Sequence, residues 1–208
     1  NQMNIILYTH IILGTLGLLA GVCVILLQKG DKRHRFIGKI FSYNLGLSML
    51  ASFPISFYKE NIFLFCIGVW TLYMIITGQR SLQISDIKKV TYLDWIITLI
   101  MAVFGVLLVG IGFYQLSFGL GLPIVSMVFG FLSLLFVWTD FRFFKGRLKA
   151  KNAHQLIHIQ RMMGAFISAL TAFVVVNNTM LPGLVVWLLP TVFLTPLIVM
   201  WSRKWAKF

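Results

Sequence analysis

His154, His158 and Arg161 are spaced four and three residues apart. A helix over this stretch puts two imidazoles and a guanidinium on one face. Imidazoles at that spacing can chelate a metal ion, and the guanidinium can grip a phosphate or carboxylate bidentately. The stretch lacks the Glu of the HExxH metalloprotease motif. Ala165, Ser168 and Ala172 continue the same stripe. Small residues there permit close helix packing or leave a cavity, so the polar groups are expected to point inward above a small-residue groove. A purely structural role is the alternative, with His154 at an interface and His158 bonded to a neighbouring backbone.

Five further ionisable groups fall at the same expected depth: His34, Arg35, Arg80, Asp94 and Asp140. Together with His158 and Arg161 they make a ligand-binding set for an anionic small molecule or lipid headgroup, because guanidinium forks suit such groups. The competing reading makes Asp94 and Asp140 the ion-pair partners of Arg80 and Arg161. A metalloenzyme is the second functional class. His34, His154 and His158 would hold Zn²⁺, with Asp94 or Asp140 as fourth ligand or general base. A haem-binding electron carrier is the third, with His34 and His158 as the axial pair.

His10 stands apart. Gly14, Gly17 and Gly21 follow it at i+4, i+7 and i+11, so it lies on a glycine face pressed against another helix. Asn177 and Asn178 fall on the same side of the membrane and are its expected partners, forming a separate polar site.

The elements that position these groups follow from hydropathy. The 208 residues are 59% hydrophobic and 11% charged, with a mean hydropathy of +0.91. Lipid can solvate that much apolar surface, and water cannot. Seven stretches reach the roughly 20 residues needed to cross a bilayer. They run over 4–28, 37–57, 61–79, 92–115, 118–139, 155–178 and 182–202. Only Gln115-Leu116-Ser117 divides the fourth from the fifth, so a re-entrant hairpin is the alternative there. The expected fold is all-α, one transmembrane bundle over residues 1–208. The first stretch reads as a retained span, because a basic loop and no small-residue cleavage site follows it.

Of the eighteen Lys and Arg residues, seventeen fall at alternate ends of these spans, the exception being Lys59. Basic residues resist translocation, so the N-terminus is expected to be exported and the C-terminus cytoplasmic. The net charge of +13 is thereby accounted for by topology and anionic headgroups, without nucleic acid. Trp95, Trp138, Trp201 and Trp205 fall near the basic ends, as interfacial aromatics do. Cys23 and Cys66 offer neither a zinc signature nor a disulfide framework.

The chain resembles the DUF2306-like group of bacterial integral membrane proteins. The resemblance lies in His10 with its glycines, Lys29-Gly30 leading to His34-Arg35 and Gly38, and Thr77-Gly78-Gln79-Arg80. It continues through His158-Ile159-Gln160-Arg161-Met162, the stretch from Thr171 to Asn177, and that from Trp187 to Pro190. It implies a multi-pass protein of the bacterial inner membrane and marks His10, His34, Arg80, His158 and Arg161, but it supplies no activity. The sequence argues against several chemistries. It has no paired Asp-rich motifs for prenyl transfer, no Walker or GxGxxG loop and no GxSxG elbow. Five acidic residues leave few carboxylates for a proton pump, and no mid-span lysine offers a retinal site.

Overall fold

Short polar side chains and glycines set where the helices start and stop. Asp31 caps the helix that starts at Lys32 by accepting from the His34 backbone N–H at 2.5 Å, and Asn61 caps the one that starts at Ile62 through the Leu64 N–H at 3.0 Å. Thr91 and Asp94 form a capping box at the start of the helix that begins at Tyr92. The computed structural model describes residues 2–148, 150 and 152–206; Lys149, Lys151 and Lys207, three of the basic residues counted above, lie outside them. Its helices are α1 (Gln2–Leu26), α2 (Lys32–Tyr58), α3 (Ile62–Ser81), α4 (Tyr92–Phe118), α5 (Pro123–Phe144), α6 (Ala153–Asn177) and α7 (Gly183–Ala206). A single 3₁₀ turn, Ile87–Lys89, lies between α3 and α4. All seven helices are long and apolar enough to cross a membrane, and the described residues include no strand.

Two boundaries differ from expectation in ways that matter. The α4–α5 connection lies at residues 119–122, and Gln115-Leu116-Ser117 is helical. Gly119 takes the left-handed conformation (φ 64°) that ends α4, and Pro123 occupies the first turn of α5. With 27 and 22 residues, α4 and α5 are two full-length helices rather than a re-entrant hairpin. At the other boundary, the cap at Asp31 draws Lys32, Arg33, His34 and Arg35 into the first turn of α2.

Helices α3 and α6 form the centre. Of their most apolar stretches 56% and 50% of residues are buried, against 17% for α1 and α7. Thr71 and Ser168 share a 2.6 Å hydrogen bond across the pair. Around this pair α1 packs on α2, α4 on α5 and α7 on α6. The α1–α2 contact runs along the glycine face: a Cβ at Gly17 would meet the Leu45 backbone nitrogen at 3.2 Å, and one at Gly14 the Ser48 hydroxyl at 3.1 Å. Phe63, Trp70, Phe129 and Trp187 interlock edge to face at one end of the core. The outer faces carry exposed Ile12, Leu19, Leu99, Val106, Phe131 and Phe193. Cys23 and Cys66 are free thiols, the first exposed on α1 and the second packed within α3.

Candidate functional site

Arg161 points inward from α6 and is 1% exposed, in the stripe that also buries Ala165 and Ser168. Its Nη2 donates to Asp140 Oδ1 at 2.7 Å and to the Phe136 carbonyl at 2.9 Å. The guanidinium also lies over the Phe136 ring (4.1 Å) and near that of Tyr73 (5.2 Å). Asp140 Oδ2 accepts from the Tyr73 hydroxyl and from Thr98 Oγ1. The charges thus compensate each other within a closed network drawn from α3, α4, α5 and α6.

Arg80 forms a second pair. Its Nε and Nη2 each donate to Asp94 at 2.8 Å, while Nη1 reaches Gln83 Oε1 and Nη2 the Lys89 carbonyl. Asp94 also accepts from the Thr91 backbone and hydroxyl. Between the two pairs lies a void of about 10 Å³, room for no more than one water. Arg80, Asp94, Asp140 and Arg161 therefore hold the helices together. The structure realises the ion-pair reading for these four, and none of them lines the larger cavity beside His158.

His158 leaves Arg161 for the other flank of α6. Its Nδ1 donates to the Gly78 carbonyl at 2.7 Å, since a carbonyl only accepts. That bond depends on close helix approach: a Cβ at Gly78 would sit 2.9 Å from Arg161 Cβ. His158, His34 and Arg35 line a cavity of about 360 Å³ between α1, α2, α3, α6 and α7. Lys29, Lys39, Gln79 and Gln155 complete its polar side, and its lining includes no Asp or Glu. Gly21, Phe41, Met163 and Phe166 form its apolar floor, and Trp201 and Trp205 of α7 flank it. His34 Nδ1 and Gln155 Oε1 are buried without a hydrogen-bond partner. Buried polar atoms are normally satisfied, so two orphans on one cavity mark it as a place for water or a polar ligand.

Lys29 has a structural share in this cavity. Its Nζ donates to the carbonyls of Val24, Ile25 and Leu27 at 2.8, 2.7 and 3.2 Å, capping the end of α1. It also lies 4.2 Å from the Trp201 ring centre. Desolvation lowers its pKa from the ordinary lysine value. With all three N–H bonds committed, Lys29 contributes field rather than a free donor. Arg35 and Lys39 are exposed and have no carboxylate partner among the described residues.

Three expected arrangements are not assembled. Among the described residues no group of three or more His, Cys, Asp or Glu is placed to hold a metal ion. The zinc set fails because His154 does not line the cavity that His34 and His158 share. His10 does not meet Asn177 or Asn178. Its Nδ1 donates to the Ser48 carbonyl at 2.9 Å, and Ser48 Oγ donates back to the His10 carbonyl at 3.0 Å. Asn177 bonds the Phe173 carbonyl within α6, and Asn178 closes the turn to Leu181. Finally, His158 and Arg161, expected together in one ligand-binding set, serve two different networks.

Sequence reasoning singled out His34, Arg35 and His158 but missed Gln79, Gln155, Lys39 and the Trp201/Trp205 wall. The two tryptophans stand at i and i+4, a spacing that signals one shared helix face. A wider depression of about 1050 Å³ runs along α7 from Thr191 to Lys204, but one helix alone lines it. It has no convergent polar groups of the kind a binding site uses. No protein-family model matches the chain, and no curated protein or solved structure matches it.

Proposed function

We propose that this protein binds or transports an anionic small molecule or lipid headgroup in the cavity beside His34, Arg35 and His158. The observation that carries the reading is the polarity of the lining: Arg35, Lys39, Lys29 and two imidazoles with no carboxylate among them. Two cations without a carboxylate partner among the described residues attract an anion, and the orphaned His34 Nδ1 gives it a directional contact when it carries the proton. The apolar floor accepts whatever hydrocarbon follows the charge. Membership of the DUF2306-like group belongs to the same proposal and adds no activity to it.

Mass spectrometry of the protein released from nanodiscs containing anionic phospholipid tests this. The parent protein is expected to retain anionic species, and Arg35→Ala/Lys39→Ala to retain them about tenfold less, since a charge-assisted hydrogen bond contributes about 1.5–3 kcal/mol. Unchanged retention by the double variant removes the reading.

The orientation belongs to the same proposal: inner membrane, N-terminus exported, and the cavity on the cytoplasmic side. The seventeen-to-one division of basic residues supports it. A reporter fused after Phe208 is expected to read cytoplasmic, and one inserted between Tyr58 and Asn61 exported. The reverse pattern would sink the assignment.

A second reading has its own observation. His158 donates from Nδ1 to a backbone carbonyl, the bond that orients many metal-ligating imidazoles, and His34 lines the same cavity. A haem held by these two side chains would give a Soret band in freshly solubilised protein. A spectrum without that band ends this alternative.

A further inference from the structure

The cavity lies where the bundle is incompletely closed. Helix α1 packs on α2, and α7 packs on α6, but α1 and α7 do not form a packed pair. Val24 and Ile25 of α1 border the cavity on one side of that gap, and Trp201 and Trp205 of α7 on the other. Deeper in, the gap closes: a Cβ at Gly21 would sit 2.5 Å from the Phe166 ring, so α1 and α6 touch there. The result is a slot with a floor, a back wall on α6 and a gap between α1 and α7, which are the two least buried helices of the bundle, so that the gap falls at its outer surface.

A site for a free anion has no use for such a side. Phosphate from water would reach the cationic rim directly and would bury no apolar surface on Phe41 or Phe166. The contact that spans the slot is also unusually light. Among the described residues no hydrogen bond or ion pair joins α1 to α7; the Lys29 ammonium, seated on the last carbonyls of α1, rests on Trp201 at 4.2 Å. A cation over an indole can part and re-form without stranding a buried charge, because the three carbonyls still hold Lys29 when Trp201 moves.

We infer that the ligand is a membrane-resident, single-chain amphiphile with a phosphate or carboxylate head, which enters sideways between α1 and α7 past the Lys29–Trp201 contact. Its head lies among Arg35, His34 and His158, and its chain runs over Phe166 and out through the slot. A volume of about 360 Å³ holds the head and the first part of one chain, and the slot carries the rest. The inference rests on the anion site proposed above and names both the class of its ligand and the route it takes.

The test uses the full chain in nanodiscs, with Cys23→Ser and Cys66→Ser removing the native thiols. Val24→Cys and Trp205→Cys place one thiol on each lip of the slot, and a cleavable bismaleimide bridges them. Dodecyl phosphate is the membrane probe and inorganic phosphate the soluble one. Dodecyl phosphate is expected to bind at least about a hundredfold more tightly, the advantage that burial of several methylenes confers. Cross-linking is expected to slow its exchange about tenfold or more, and cleaving the linker to restore it, which separates a closed slot from a damaged protein.

Exchange that stays fast in fully cross-linked protein overturns the sideways route. Inorganic phosphate competing as well as dodecyl phosphate overturns the membrane source. In both cases binding that still falls in Arg35→Ala/Lys39→Ala leaves the anion site standing. Failure of both probes to bind the parent protein overturns the anion site and this inference together.

Discussion

Asp140→Asn is expected to cost about 3–5 kcal/mol of stability, the usual penalty for stranding one member of a buried ion pair. Arg161 and Asp140 are each 1% exposed, so neither can turn to water when its partner is lost. An asparagine at position 140 still offers one oxygen to the Tyr73 hydroxyl or to Thr98, but it cannot neutralise a guanidinium. Arg161 stays charged at any workable pH. The Phe136 carbonyl and the two aromatic faces that remain beside it are dipoles and quadrupoles, weaker than the carboxylate they would replace. Removing both charges together, as Arg161→Met/Asp140→Leu, is therefore expected to restore much of the loss. Asp94→Asn makes the contrast. The Arg80 side chain is 26% exposed and keeps Gln83 and the Lys89 carbonyl, so water and neighbours cover the change at about 1 kcal/mol. Thermal melting of detergent-solubilised protein orders the three variants. Asp140→Asn melting level with Asp94→Asn would mean that the buried network does not hold Arg161.

The contrast between these two acids marks what the sequence does and does not contain. Arg161 falls inside an apolar stretch, and the cost of a charge there forces it inward toward a compensating group. Depth along a helix follows from counting residues, so the candidates narrow to Asp94 and Asp140. Which of the two is the partner depends on the order of helices around the bundle, and nothing in a linear hydropathy pattern records that order. His10 illustrates the same gap. Its level is legible, yet its partner is Ser48 on the adjacent α2, a residue type too common to stand out, rather than the two asparagines at a similar level. The cavity was harder still, because it is made by helices that fail to pack. Trp201, Trp205, Gln79 and Gln155 gain their role from the gap between α1 and α7, and no side-chain type announces a gap. The seven helices themselves were legible throughout, since length and apolarity are local properties. At the α4–α5 junction the polar triplet Gln115-Leu116-Ser117 suggests the break, while the backbone turns at Gly119, because a glycine in the left-handed conformation ends a helix and a polar triplet need not.

That junction leads to the other large effect. Gly130→Ala is expected to destabilise the bundle by about 1–3 kcal/mol, the range for overpacking a tight contact. A Cβ at Gly130 would lie 2.8 Å from the Val109 backbone nitrogen and 3.0 Å from the Gly105 carbonyl oxygen. Side chains can turn aside at such distances, but the backbone of α4 can only move as a whole. Gly105 and Gly112 face the same seam, with Ser133, Leu134 and Met127 pressed against them, so separation at one point loosens the entire contact. Between helices in lipid there is no hydrophobic gain to offset the loss, because van der Waals packing is the main attraction. Gly110 on the same α4 is the control. A Cβ there meets nothing within 4 Å, so Gly110→Ala should gain about 0.5–1 kcal/mol from helix propensity alone. One chemical change at two glycines of one helix pair is thus expected to have opposite signs. Melting temperatures that rise in both variants would show that α4 and α5 do not meet backbone to backbone. The seam also bears on Asp140, which sits on α5 ten residues beyond Gly130 and draws its Thr98 contact from α4. Spreading α4 from α5 pulls on that contact, so Gly130→Ala and Asp140→Asn combined are expected to cost less than the sum of their separate effects. A strictly additive pair would place the Arg161 network and the glycine seam in independent parts of the bundle.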